Sequence, residues 1–193
     1  LRAPRQAAQP SPQLGYIPAE PLRNAVAPLL PLAVNLALKG LRGLPFVVDR
    51  TALAQQAQVL LERFAVRPAD PSAVAGTLSG GNLQKLVAAR ELSHRPAAVV
   101  ACYPTMGLDV TASAQVYATL FGLASEGTAV LWISEDLDDL LQYAHRIAVM
   151  FEGRVVRAID ASRTTAFELG GWMAGQTTAG ADPAVQLAHE APA

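Results

Sequence analysis

Apolar positions divide this chain into stretches of two periods. From Leu32 to Leu38 they favour a short helix. Asp49 is placed to cap a longer helix whose Leu53, Ala57, Leu60, Leu61 and Phe64 fall on one face, a spacing that predicts core packing. A third helix runs through Leu86–Leu92. Beyond it, Ala97–Tyr103 and Thr128–Ile133 alternate too little for half-exposed strands and predict fully buried ones. Between them, Val116, Leu120 and Leu123 have helical spacing within Val110–Ala124. Leu137–Ala144 predicts another helix, and Arg146–Phe151 and Arg154–Ala158 predict strands joined by a Glu152–Gly153 turn. Near the start, Leu14–Pro18 is a short apolar run that must turn at Ala19-Glu20-Pro21. Strands separated by helices predict an α/β fold with a mainly parallel sheet flanked by helices.

Outside these elements the pattern lapses. Residues 1–13 are rich in Pro, Gln and Ala and predict a flexible lead-in, and residues 176–193 lack any period and predict a disordered tail. Gly40, Gly43 and Pro45 break the chain between the first two helices. The 193 residues, 51% of them hydrophobic, suffice for one core or a large part of one. A net charge of −1 without a basic stripe argues against nucleic acid as direct partner. The single cysteine, Cys102, cannot form an internal disulfide, and no Cys/His cluster has zinc spacing.

The densest chemistry lies at Thr77–Lys85, T-L-S-G-G-N-L-Q-K. Ser79 can cap the helix that follows, and Gly80 and Gly81 leave its first N–H groups uncovered, so the helix start can receive an anion. Those letters alone also describe an ordinary turn into a helix. Their order relative to Pro104-Thr105-Met106-Gly107-Leu108-Asp109 and Ser134-Glu135-Asp136, with an apolar run ahead of each, resembles the second half of an ATP-binding-cassette (ABC) nucleotide-binding domain. Leu78-Ser79-Gly80-Gly81-Asn82 matches the signature, Gly107-Leu108-Asp109 the D-loop, and Ser134-Glu135-Asp136 the switch loop. The likeness covers about Leu14 to Gly175. Within the family it is nearest to the second domain of tandem ATPase subunits that import nucleosides and simple sugars, through Asn82 and Lys85 in G-G-N-L-Q-K, Glu135 at the switch-histidine position, and Glu168-Leu169-Gly170 with Met173-Ala174-Gly175.

The resemblance implies a partial ABC-type fold over residues 14–175, with a helical subdomain at about 20–95 that receives a coupling helix from a transmembrane subunit. It places a nucleotide-sensing residue at Ala19 or Glu20, a register the sequence leaves open beside a plain strand-to-turn junction. ATP hydrolysis needs a loop G-x-x-x-x-G-K-[ST] for the phosphates and carboxylates for Mg²⁺ and the attacking water. No such loop occurs here. In the family it precedes the Q-loop, and residue 1 is Leu, so an N-terminally truncated chain is expected. By register, Cys102 stands where the metal-linked Asp belongs and Tyr103 where the catalytic Glu belongs. A thiol is a poor Mg²⁺ ligand, and a phenol with a pKa of about 10 is a poor base near neutrality.

The expected function follows from the head-to-tail pairing of such domains. This chain would supply Ser79, Gly80, Gly81, Asn82 and Asp109 to ATP and Mg²⁺ held mainly by a second ABC domain in the same full-length protein. Its own Walker side, with Cys102, Tyr103 and Glu135, would be inactive. Permease subunits would hold it at the cytoplasmic face of the membrane. Two other classes fit the pattern less well: a soluble, non-transport ABC ATPase acting on ribosomes or DNA, which Cys102 and Tyr103 oppose, and an interaction module without nucleotide contact, which Ser79-Gly80-Gly81 opposes. Simpler roles stand beside several residues. Asp109 can cap the Val110 helix, Cys102 can be a small buried residue at a strand end, and Glu135, Asp136, Asp138 and Asp139 suit a helix start. His94 and His145 suit surface or capping roles. A chain lacking the strand of the phosphate-binding loop should also expose part of its sheet and be poorly soluble alone.

Overall fold

A computed structural model describes residues 14–39 and 49–176. The expected lead-in, the break at Gly40, Gly43 and Pro45, and the expected tail beyond Gln176 lie outside those residues. The chain forms two compact units, divided between Ile133 and Ser134.

In the first unit, β1 (Leu14–Ile17), β2 (Ala98–Cys102) and β3 (Ala129–Ile133) form a parallel sheet in that order. Leu14 pairs with Ala98 and Ala98 with Ala129, so residues on one face of the three strands are in register. Parallel pairing requires a crossover, and α5 (Val110–Ser125) provides it between β2 and β3. Between β1 and β2 the chain inserts α1 (Pro21–Asn24), α2 (Leu32–Ala37), α3 (Arg50–Arg63) and α4 (Gly80–Leu92).

The expected α3 stripe is present: Ala57 and Leu61 are buried, with Leu53, Leu60 and Phe64 packed beside them. The Asp49 carboxylate accepts from the N–H groups of Thr51 and Ala52, as a capping residue should. α4 serves two cores. Leu83, Leu86 and Ala89 join α2 and α3, whereas Val87, Ala88 and Leu92 pack with Ile17, Val99 and α5. Every residue from Leu86 to Leu92 is buried, the condition of a helix with neighbours all round.

The prediction of two fully buried strands is corrected. Side chains alternate across a strand, and only the Ile17, Val99, Ala101 and Val130 face packs against α4 and α5. On the other face, Leu14 is 54% exposed, Tyr16 45%, Leu131 60% and Ile133 42%, with Ala98, Val100 and Cys102 half-buried between them. Apolar letters on both faces were expected of a sheet covered twice, and this sheet is covered once. Cys102 is accordingly half-buried, not buried.

The second unit holds α6 (Leu137–Tyr143), a hairpin of β4 (Arg146–Phe151) and β5 (Arg154–Asp160), and α7 (Ala166–Met173). The four predicted strands, with the apolar run at Leu14–Ile17 as a fifth, thus form a parallel trio and an antiparallel pair among the described residues. Glu152 and Gly153 both take positive φ, 46° and 75°, the turn that suits the twist of a hairpin. Ile147, Val149, Ala161 and Leu169 form its core. Thr165 and Glu168 close a capping box on α7. Asp136 caps α6, accepting from Asp139 N–H at 3.1 Å, so this acidic run does serve the helix start. Among the described residues, no helix is long and apolar enough to cross a membrane.

Candidate functional site

A cleft of the first unit, with a volume of about 1020 Å³, is walled by three segments. One is the turn after β1, with Ala19 and Glu20. The second is the start of α4, with Ser79, Gly80, Gly81 and Asn82, and the third is the turn after β2, with Gly107 and Asp109. Five residues selected from sequence as nucleotide contacts, Ser79, Gly80, Gly81, Asn82 and Asp109, therefore line one space. Both candidates for the sensing position line it too. Glu20 is exposed and makes an ion pair with Arg23 at 3.8 Å, without capping α1.

Local chemistry sets this geometry. The helix begins at Gly80, earlier than the apolar run indicates, so the signature residues form its first turn. Ser79 takes extended backbone angles and its hydroxyl oxygen accepts from Asn82 N–H at 3.4 Å, a long capping bond. The same oxygen accepts a second bond from Asn82 Nδ2 at 3.0 Å. Asn82 Oδ1 in turn accepts from the Arg67 backbone N–H at 2.8 Å. A Cβ on Gly80 would meet nothing within 4 Å, so the space beside that residue is open; a Cβ on Gly81 would lie 3.0 Å from the Gly107 carbonyl oxygen. Glycine at 81 thus allows the helix start to rest against the turn after β2. Asp109 caps α5, accepting from Ala112 N–H at 2.8 Å, while still lining the cleft.

Three supports were missed in the sequence. Gln84 is buried and donates from Nε2 to the Tyr103 carbonyl at 3.3 Å, tying α4 to the end of β2. Arg90 and Glu91 are buried on the same helix, with Arg90 Nε donating to Glu91 Oε1 at 2.8 Å. Glu91 also accepts from Tyr16 N–H at 2.9 Å and pairs with the Lys39 ammonium, while Arg90 Nη1 donates to the Ala25 carbonyl at 2.7 Å. Asn35, also buried, holds the stretch after α1 through the N–H and carbonyl of Ala27 and the carbonyls of Leu30 and Pro31. Alternation of letters could not reveal these groups, because their partners lie on other elements.

At the strand end, Cys102 is half-buried and Tyr103 adopts a left-handed φ of 48°, its N–H donating to Ile133 O at 2.9 Å. Thiol and phenol do not fit Mg²⁺, a hard cation that takes oxygen ligands from carboxylates. Glu135 belongs to the second unit, where it is exposed. His94 and His145 are both exposed.

No family model matches the chain. Among curated proteins, it is 34% identical over 168 residues to the guanosine import ATP-binding protein NupO of Bacillus subtilis, covering 85% of this chain and 33% of that one. It is 39% identical over 149 residues to the glucose import ATP-binding protein TsgD13 of Haloferax volcanii, covering 74% and 27%. With the nucleoside import ATP-binding protein NupA of Lactococcus lactis, identity is 35% over 166 residues, covering 84% and 33%. The chain spans about a third of the length of these relatives. Among solved structures, it is similar to the dimeric ATP-binding cassette MJ0796 bound to ADP and Pi, with a TM-score of 0.66 and 21% identity, covering 77% of this chain and 63% of that one. An ATP-binding subunit of an ABC transporter gives a TM-score of 0.68 at 19% identity, covering 84% and 68%. The chain therefore has the fold of an ABC-type ATP-binding cassette, and in sequence it is similar to about a third of the length of nucleoside and sugar import ATP-binding proteins.

Proposed function

We propose that this chain completes the ATP site of a partner cassette domain, offering Ser79, Gly80, Gly81 and Asp109 to a nucleotide whose phosphates and Mg²⁺ the partner holds. One observation carries the reading: a capped helix start with open N–H groups shares a cleft with Asp109, while the end of β2 presents Cys102 and Tyr103 in place of carboxylates. In that role the Ser79 hydroxyl and the N–H groups of Gly80 and Gly81 donate to the γ-phosphate, where charge shifts during transfer. Asp109 crosses to the partner and helps place the attacking water. The chain's own Walker side, with Cys102, Tyr103 and Glu135, is catalytically silent.

The import names of the relatives support work with permease subunits on nucleosides or simple sugars, at the cytoplasmic face of the membrane. Their threefold greater length supports a partner domain within the same full-length protein. The test is ATP turnover by the chain alone, and then mixed with an ATP-hydrolysing cassette domain that keeps its phosphate-binding loop. Silence alone, stimulation in the mixture, and loss of that stimulation in Ser79→Arg are expected. Hydrolysis by the isolated chain would overturn the reading of Cys102 and Tyr103.

A further inference from the structure

We infer that Asn82 is a positioning residue that fixes the direction of the Ser79 hydroxyl proton, and that it acts on nucleotide through Ser79. The inference rests on the composite-site reading and extends it to a residue that the sequence places among direct contacts.

The argument is one of donors and acceptors. The Arg67 backbone N–H can only donate, so the Asn82 atom 2.8 Å from it must be the carbonyl oxygen Oδ1. The amide NH₂ then faces Ser79 Oγ at 3.0 Å, and it can only donate. The backbone N–H of Asn82 also donates to that oxygen, at 3.4 Å. Both lone pairs of the Ser79 hydroxyl are therefore engaged from the helix side, and none of these partners can accept its proton. The O–H bond is left to point away from Asn82, toward the cleft that Ser79 lines. A hydroxyl that could turn either way is thus held as a donor in the direction an incoming phosphate oxygen would take. Arg67 follows Val66 of the helical core, so that core also fixes the direction of the proton.

Asn82→Asp isolates the effect. The carboxylate keeps an oxygen for Arg67 N–H and suits the first turn of a helix, but it can only accept from Ser79, drawing the hydroxyl proton inward. In the mixture with an ATP-hydrolysing cassette domain, Ser79→Ala should lower maximal turnover by about 10²-fold, the scale of one lost transition-state donor. Asn82→Asp should approach that loss, while the chain concentration for half-maximal stimulation and the melting temperature stay near wild type. The double variant should be no slower than Ser79→Ala. Should the effect of Asn82→Asp persist in full when combined with Ser79→Ala, charge repulsion and not proton direction is at work, and the inference fails. It fails as well if Asn82→Asp is active while Ser79→Ala is not. If Ser79→Ala itself stimulates normally, the composite-site reading falls and takes this inference with it.

Two measurements do not depend on the aspartate variant folding. Asn82→Leu, lacking both donor and acceptor, should likewise lose turnover non-additively with Ser79→Ala. Amide hydrogen exchange at Arg67 should be slow in the wild type and fast in Asn82→Leu. Fast exchange at Arg67 in the wild type removes the anchor on which the amide orientation depends, and overturns the inference.

Discussion

Replacing Glu91 with alanine should strongly destabilise the first unit, although the residue lies outside the cleft. Its side chain is 2% exposed, and it gathers three donors from three parts of the fold: Tyr16 N–H in β1, Arg90 Nε in α4, and the Lys39 ammonium beyond α2. Removing the carboxylate leaves the Arg90 side chain, 8% exposed, as a buried cation without its counter-ion. Breaking a buried pair in this way costs about 3–5 kcal/mol. Arg90 keeps its bond to Ala25 O, and its 3.5 Å contact to Asn35 O is too long to add much, so we place the loss near the middle of that range. Lys39 is 34% exposed, and losing its charge should cost at most about 1 kcal/mol. Arg90→Met should fall between the two, because Glu91 would keep Lys39 and the Tyr16 N–H. With a urea slope of about 2 kcal/mol per molar, Glu91→Ala should lower the midpoint by roughly 2 M and Lys39→Met by less than about 0.5 M. The assay is urea unfolding followed by Trp132 fluorescence in a Trp172→Phe background. Trp132 packs on Tyr117 and Phe121 in the first unit and Trp172 lies in the second, so the signal belongs to the unit holding the network. A Glu91→Ala shift no larger than that of Lys39→Met would show that the carboxylate does not neutralise Arg90.

Gly80→Ala should stabilise the helix start by about 0.5–1 kcal/mol yet reduce stimulation of a partner's ATP turnover in the proposed role, since its methyl would fill space beside the N–H that is otherwise open; equal stimulation would refute the donor role. Gly81→Ala should instead destabilise in thermal melts, because its Cβ would meet Gly107 O at 3.0 Å and Leu108 Cδ2 at 3.3 Å. Leu131→Lys, on the uncovered sheet face, should reduce concentration-dependent association in sedimentation velocity with the melting temperature unchanged; a wild-type chain that stays monomeric would refute the expected self-association. The Ser72 hydroxyl, and then its N–H, donate to Asp70 and hold its carboxyl below the ordinary value. The stability contribution is therefore present above the unfolded pKa and lost as pH falls through the depressed one. A carbon-detected NMR titration should show this, and Ser72→Ala should move the Asp70 midpoint upward.

The elements fixed by short-range chemistry were legible from the letters. Ser79 and Asp109 each stand one residue before a helix and do cap it, and the Leu53 to Phe64 stripe lies where its period requires. The residues that line the cleft stand in short motifs that the letters display, although the cleft itself appears only in the fold. Arg90 and Glu91 were not, since adjacent charges within a helix ordinarily mark a solvated face, and Tyr16 and Ala25 are 75 and 65 residues away in sequence. The same limit applies to β3. An apolar strand reads alike whether one face or both are covered, and exposure of Leu131 depends on what lies over the sheet. Asn82 was recognised by its motif, but which way its amide faces depends on Arg67, beyond the reach of local pattern.

The closeness of Gly81 to the Gly107 carbonyl bears on how fast the cleft could be engaged in the proposed role. Two loops that had to be ordered separately on encounter would each lose conformational entropy, about 1–2 kcal/mol for every residue fixed. Here the first turn of α4 lies so near the turn after β2 that a Cβ at position 81 would stand 3.0 Å from Gly107 O and 3.3 Å from Leu108 Cδ2. In the proposed composite site, an approaching nucleotide-laden surface would therefore meet two segments already set side by side, and less of that ordering cost would fall due on encounter.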